Sequence, residues 1–118
     1  MQRRPRQYDP DYLARVRTWL CISCLDNTSV EACHIRLSDA SVCKVNPGVG
    51  QKPDDKFVLP MCSECHREQH SMQEKAFWDR RGIDPVKIAL ALYAARDSEE
   101  AERIIRAQHP MRNILAAG

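Results

Sequence analysis

The chain has 118 residues, a net charge of +2 and six cysteines. That length fits one small domain, which buries only about two thirds of its unfolded surface and so gains from a metal staple. No apolar signal core opens it, and no run approaches the roughly 20 apolar residues that span a bilayer, so neither export nor a membrane partner is expected.

The expected setting is cytoplasmic, where thiols stay reduced and can hold zinc. The small net charge does not by itself announce a polyanion partner, but the charge is unevenly placed. Residues 3–17 hold five Arg against two Asp. Residues 1–11 read as a flexible basic arm ahead of a single zinc-stabilised domain over 12–118. An Arg-rich, Pro-containing arm can touch a phosphate backbone without folding first, which makes Arg3, Arg4 and Arg6 candidate nucleic-acid contacts. A solvated tail is the plain alternative.

The next segment, 12–20, carries Leu13, Val16 and Leu20 at helical spacing, and 30–35 reads as a short strand. From 37 to 56 the turn formers Asn46-Pro47-Gly48 and Lys52-Pro53-Asp54-Asp55 predict a mobile surface loop. Phe57-Val58-Leu59 is an expected buried strand. Ser63 then fits the N-cap of a helix carrying Cys65, His66 and His70 and continuing from Gln73 to Arg81, where Gly82 stops it. Asp84-Pro85 opens another helix with Val86, Leu90 and Tyr93 on one face. Asp97, with Glu100 three residues later, opens a last one through Ala101, Ile104 and Ile105, and Pro110 ends it.

Two Cys-x-x-Cys pairs supply four thiolates, the number a closed tetrahedral zinc site takes, so Cys21, Cys24, Cys62 and Cys65 are the expected structural Zn²⁺ ligands. Cysteine makes up about 5% of the chain, below the roughly 8–10% of disulfide scaffolds. A redox motif would want a strand-helix-strand context that Cys21 lacks. Cys33 and Cys43 are left as buried free thiols. His66 and His70 lie four apart on the expected helix, so both project from one face and can bind one cation. Exposed or capping histidines are the alternative for that pair, and a structural histidine is the alternative for His34.

The pattern formed by Cys21-x-x-Cys24, Ala32-x-His34-Ile35 and Leu59-Pro60-x-Cys62-x-x-Cys65-His66-x-x-x-His70 resembles the HNH (His-Me finger, ββα-metal) nucleases that carry a four-cysteine zinc. Gly50-x-Lys52-x-x-Asp55-x-Phe57-Val58-Leu59-Pro60-x-Cys62, with Phe77 and Gly82 beyond the last His, is similar to the phage recombination-enhancement nucleases. The resemblance covers roughly residues 19–82. It implies a small α+β fold: a ββα-metal core with its zinc knuckle, flanked by an N-terminal helix and C-terminal helices. It also implies a DNA endonuclease of phage or prophage origin in a bacterial host, acting in recombination or genome processing, with a recombinase or other phage replication protein as partner.

By the same resemblance His34 matches the general base, and His66 and His70 match the ligands of a catalytic divalent ion, Mg²⁺, Mn²⁺ or another transition metal. The three imidazoles are then expected to converge on one polar cleft. The chain departs from the family at Cys33, where an Asp or His ligand is usual, and in having no Asn between Pro53 and Met61. Asp54 and Asp55 are the nearby acids. Asp55 matches an acidic position of the recombination-enhancement type, and either acid could complete the metal shell, orient His34 or serve as a turn residue. A non-catalytic zinc module that binds nucleic acid or a recombination protein is the alternative function.

Overall fold

Two strands of five residues position the rest of the chain. In the computed structural model, which describes residues 6–42, 44 and 52–109, β1 (Val30–His34) and β2 (Val58–Cys62) pair antiparallel, with Val30 opposite Cys62 and His34 opposite Val58. A lone two-stranded ribbon is marginal in water, and here helices and the cysteine knuckle cover it. The result is a small α+β fold with five α-helices among the described residues.

β2 extends through Pro60 to Cys62, beyond the strand expected over 57–59, because Pro60 costs the ladder nothing. In an antiparallel strand a residue's N–H and C=O point to the same side. The Pro60 carbonyl accepts the Ile22 N–H at 2.8 Å, so its missing donor faces away from β1. Alternation along β1 places Glu31 and Cys33 on one face and Ala32 and His34 on the other.

The first helix, α1 (Pro10–Val16), starts earlier than its apolar spacing suggests. Asp9 caps it by accepting the Tyr12 N–H at 3.1 Å, and Pro10 fits the first turn, where no intrahelical donor is required. Its buried face is Tyr12 and Val16, continued by Trp19, while Leu13 is only half-buried. After β2 the expected continuous helix is divided into α2 (Ser63–His70) and α3 (Glu74–Arg81). Ser71 marks the break, its hydroxyl donating to the Glu68 carbonyl at 2.7 Å in competition with the helical ladder. The cap of α2 is Cys62, not Ser63; its sulfur accepts the Cys65 N–H at 3.4 Å. Gly82 ends α3 in the left-handed region at φ 65°, a conformation that glycine takes without a Cβ penalty.

The remaining helices are α4 (Pro85–Tyr93), capped by Asp84, and α5 (Ser98–Ala107), capped by Asp97, which accepts the Glu100 N–H at 2.8 Å. On α4 the buried set is Pro85, Val86, Ile88, Ala89 and Leu92, so Leu90 and Tyr93 sit at the margin of the apolar face and not at its centre. On α5 it is Ala101 and Ile105. Together with Phe77 and Trp78 of α3 these side chains close the core. No helix among the described residues is long and apolar enough to cross a membrane.

The stretch expected to be a flexible arm is docked over its described part. Gln7 donates its N–H to Asp54 at 2.9 Å, accepts the Asp55 N–H at 3.1 Å, and accepts the Lys56 N–H on its side chain at 3.0 Å. Arg6 donates to the Pro53 carbonyl at 3.0 Å, and Tyr93 donates its hydroxyl to Asp9 at 2.8 Å. Residues 6–9 and 53–56 therefore form one clamp. The expected loop over 37–56 is likewise anchored where it is described: Asp39 bridges Lys44, whose ammonium donates to the Leu37 carbonyl. Arg3, Arg4, Cys43, the Asn46-Pro47-Gly48 turn, Gly50 and Pro110 lie outside the described residues.

Candidate functional site

The knuckle between α1 and β1 brings Cys21 and Cys24 together through a tight turn. The Leu25 N–H bonds the Cys21 carbonyl at 2.8 Å and the Cys21 N–H bonds the Asp26 carbonyl at 2.7 Å. Leu25 sits at φ 67°, a left-handed conformation unusual for a branched side chain and held by these bonds. Cys62 and Cys65 come from the end of β2 and the first turn of α2. All four sulfurs lie within 4.8 Å of one another, and Cys24 and Cys62 are 3.8 Å apart. A tetrahedral ion with Zn–S bonds of about 2.3 Å requires sulfurs about 3.8 Å apart, so the donor set fits Zn²⁺. Burial pushes the Cys24 thiol up to about 11 and raises Cys65 further still. A dication that displaces those protons compensates the charge that buried sulfurs resist carrying alone. This is the only group of three or more His, Cys, Asp or Glu donors that comes together among the described residues.

His34 ends β1 with its imidazole mostly buried, and Nε2 is 2.9 Å from Asp55 Oδ1. Asp55 is 1% exposed and is held from three sides. Its Oδ1 also accepts Arg6 Nη2 at 2.5 Å, and its Oδ2 accepts the Asp9 N–H at 2.7 Å. Although burial opposes ionisation, the hydrogen bonds from His34, Asp9 and Arg6 keep the Asp55 carboxyl below the usual carboxylate range. An ionised acceptor at Nε2 fixes the proton there and leaves the Nδ1 lone pair as the base. Burial lowers the His34 pKa, and the Arg6 and Lys52 cations add to that, against the raising effect of Asp55. The imidazole is therefore neutral near pH 7, between the Asp55 carboxylate and the Arg6 and Lys52 cations.

His66 and His70 project from one face of α2, with their Nε2 atoms 3.0 Å apart. Two nitrogens at right angles around an octahedral ion, each at about 2.1 Å, would be separated by about 3.0 Å. Glu31 reaches across from β1, with Oε1 2.8 Å from His66 Nδ1. A carboxylate on the far nitrogen of an imidazole sets its tautomer and frees Nε2 as a ligand. The pair can therefore hold one cation, with Glu31 orienting it.

The contacts divide the expected constellation in two. His34 bonds with Asp55 and has Arg6 Nη2 3.3 Å from its Nε2, while His66 contacts both His70 and Glu31. Glu31 and His34 lie on opposite faces of β1, and these contacts join His34 to neither of the other two imidazoles. Asp54, expected in the metal shell, instead accepts the Gln7 N–H. Cys33 is turned into the core, its sulfur 3.9 Å from Gln69 Oε1, and burial pushes its thiol up to about 12, so it is the buried free thiol expected and not a metal ligand. Arg6, expected as a free phosphate contact, is committed to Asp55 and the Pro53 carbonyl. Glu31 and Lys52 were not foreseen as site residues. Strand alternation could have placed Glu31 on the Cys33 face, but nothing in the sequence fixed which helix face would meet it. Compared with protein-family models, curated proteins and solved structures, the chain matches none.

Proposed function

We propose that the protein is a divalent-metal-dependent endonuclease that hydrolyses phosphodiester bonds in DNA. The His34–Asp55 pair carries this reading: a neutral imidazole, fixed in one tautomer by a buried carboxylate, is suited to take a proton from an attacking water at neutral pH. Lys52 adds a positive charge near it that favours the approach of a phosphate, Arg6 being paired with Asp55. His66 and His70 would hold the divalent ion, and two imidazole donors suit Mn²⁺ or another transition ion better than Mg²⁺. When bound, that ion supplies Lewis-acid stabilisation of the phosphoryl and leaving oxygens. Glu31 orients His66, so Glu31→Ala should weaken Mn²⁺ binding by about 10–100-fold in a calorimetric titration, with the cysteine-bound zinc retained. Unchanged affinity would remove Glu31 from the site. The setting in phage or prophage recombination, with a recombinase presenting the DNA, rests on the family resemblance of the motifs.

One observation favours a second reading, a zinc module that binds nucleic acid or a recombination protein without cleaving. Glu31, which holds His66, and His34 lie on opposite faces of β1, and Cys33 supplies no ligand between them. Incubation with supercoiled and single-stranded circular DNA separates the two. The nuclease nicks or linearises the circles with Mn²⁺ or Mg²⁺, and a chelator abolishes the reaction. Binding without nicking under any ion selects the module.

A further inference from the structure

Tyr8 is the most exposed large hydrophobic side chain among the described residues, at 70%. A single exposed aromatic usually needs no explanation, but this one is held in place. The N–H before it, on Gln7, is bonded to Asp54 at 2.9 Å, and the N–H after it, on Asp9, is bonded to Asp55 at 2.7 Å. The Arg6 guanidinium lies over the ring, its Cζ 4.4 Å from the centroid. The same guanidinium reaches Asp55 at 2.5 Å and comes within 3.3 Å of His34 Nε2. One ring face is therefore backed by a pinned cation, the other is open to solvent, and a single guanidinium group separates the ring from the imidazole.

We propose that Tyr8, backed by Arg6, is a stacking platform for an unpaired nucleobase beside the phosphate that His34 addresses, so that single-stranded DNA is bound in preference to duplex. Every base offers a π-face, so such a platform is tolerant of sequence, and a base inside a duplex has its faces covered by its neighbours. The platform costs little ordering entropy, because the backbone on both sides of Tyr8 is already fixed. Arg6, held by Asp55, would support from behind the ring that stacks the base.

This inference rests on the nucleic-acid reading of the His34 site, and its test is independent of cleavage. Full-length zinc-loaded protein, without added divalent ion, is titrated into a fluorescent single-stranded oligonucleotide and into the same oligonucleotide annealed to its complement. The wild type should bind the single strand more tightly. Tyr8→Ala should weaken single-strand binding by about tenfold and change duplex binding less than about twofold, while Tyr8→Phe retains the preference. Thermal melting checks that the substitution, at a largely exposed ring, leaves the fold intact. Equal losses on both DNAs, no loss on either, or no single-strand preference in the wild type would overturn the platform. Cleavage by the Tyr8→Ala protein with unchanged single-strand affinity sinks the platform and keeps the nuclease. A Tyr8-dependent single-strand preference in a protein that nicks nothing keeps the platform and sinks the nuclease.

Discussion

Cys62→Ser should leave the chain without zinc and largely unfolded. Cys62 has three roles at once: it ends β2, caps α2 through its sulfur, and stands 3.8 Å from Cys24 in the four-sulfur cluster. Serine keeps a good acceptor for the Cys65 N–H, so the substitution isolates the loss of the metal ligand. Structural zinc contributes apparent binding free energies of about 10–16 kcal/mol in small zinc domains, against total stabilities of about 5–15 kcal/mol for ordinary domains. Losing the ion should therefore remove most of the folding free energy of a chain this size. Elemental analysis should find about one zinc per wild-type chain and almost none in the variant, whose far-ultraviolet dichroism should lose helix and whose melt should lose cooperativity. A variant that melts like the wild type would show that the ribbon and helices stand without the cluster.

Much of the fold was legible because its signals are local. Asp84 and Asp97 stand one residue before their helices and cap them as read, and Gly82 ends α3 through the backbone freedom expected of it. The Cys-x-x-Cys spacing brought four sulfurs together across a gap of about forty residues, because the chemistry of the donor set names its own partners. The misread elements are those where tertiary contacts overrule local pattern. The strand expected over 57–59 runs on through Pro60, whose carbonyl accepts the Ile22 N–H. The break at Ser71 depends on a hydroxyl that bonds backward to Glu68, and no periodicity signals that choice.

The candidate site's residues were singled out in the sequence, and their arrangement was not. His34, Asp55, His66 and His70 were singled out from motif and spacing, and each makes specific polar contacts. Which face of β1 α2 covers, and so which strand residues meet His66 and His70, is a property of packing and not of spacing. Arg6 illustrates the same point. Composition reads it as one of several exposed cations, but a buried carboxylate 49 positions away leaves it 25% exposed and makes it part of the His34 environment. Asp55 was among the acids that could orient His34, and it does bond its Nε2, whereas Glu31 carries no signal of its role until His66 is in place.

His34→Ala should lower the cleavage rate by at least about 10²-fold, the scale of a missing general base, while zinc content, fold and DNA affinity stay close to wild type. The imidazole lies at the end of β1, opposite Val58 and outside the cysteine cluster, so its loss leaves the four sulfurs untouched. The pH profile adds a test of mechanism. Burial lowers the His34 pKa, so the neutral base persists to more acidic pH and the acid limb of the wild-type rate should fall below the ordinary histidine value of about 6.5. Asp55 acts in the opposite sense, raising that pKa through its charge and hydrogen bond. Asp55→Asn keeps an acceptor for Nε2 but removes the charge, so it should move the acid limb lower still and cut the plateau rate, because the imidazolium formed during proton transfer loses its counter-charge. A wild-type limb at or above 6.5, or an Asp55→Asn limb shifted upward, would show that another group is titrating. Undiminished cleavage by His34→Ala would move the chemistry away from β1 and leave His34 as a structural partner of Asp55 and Arg6.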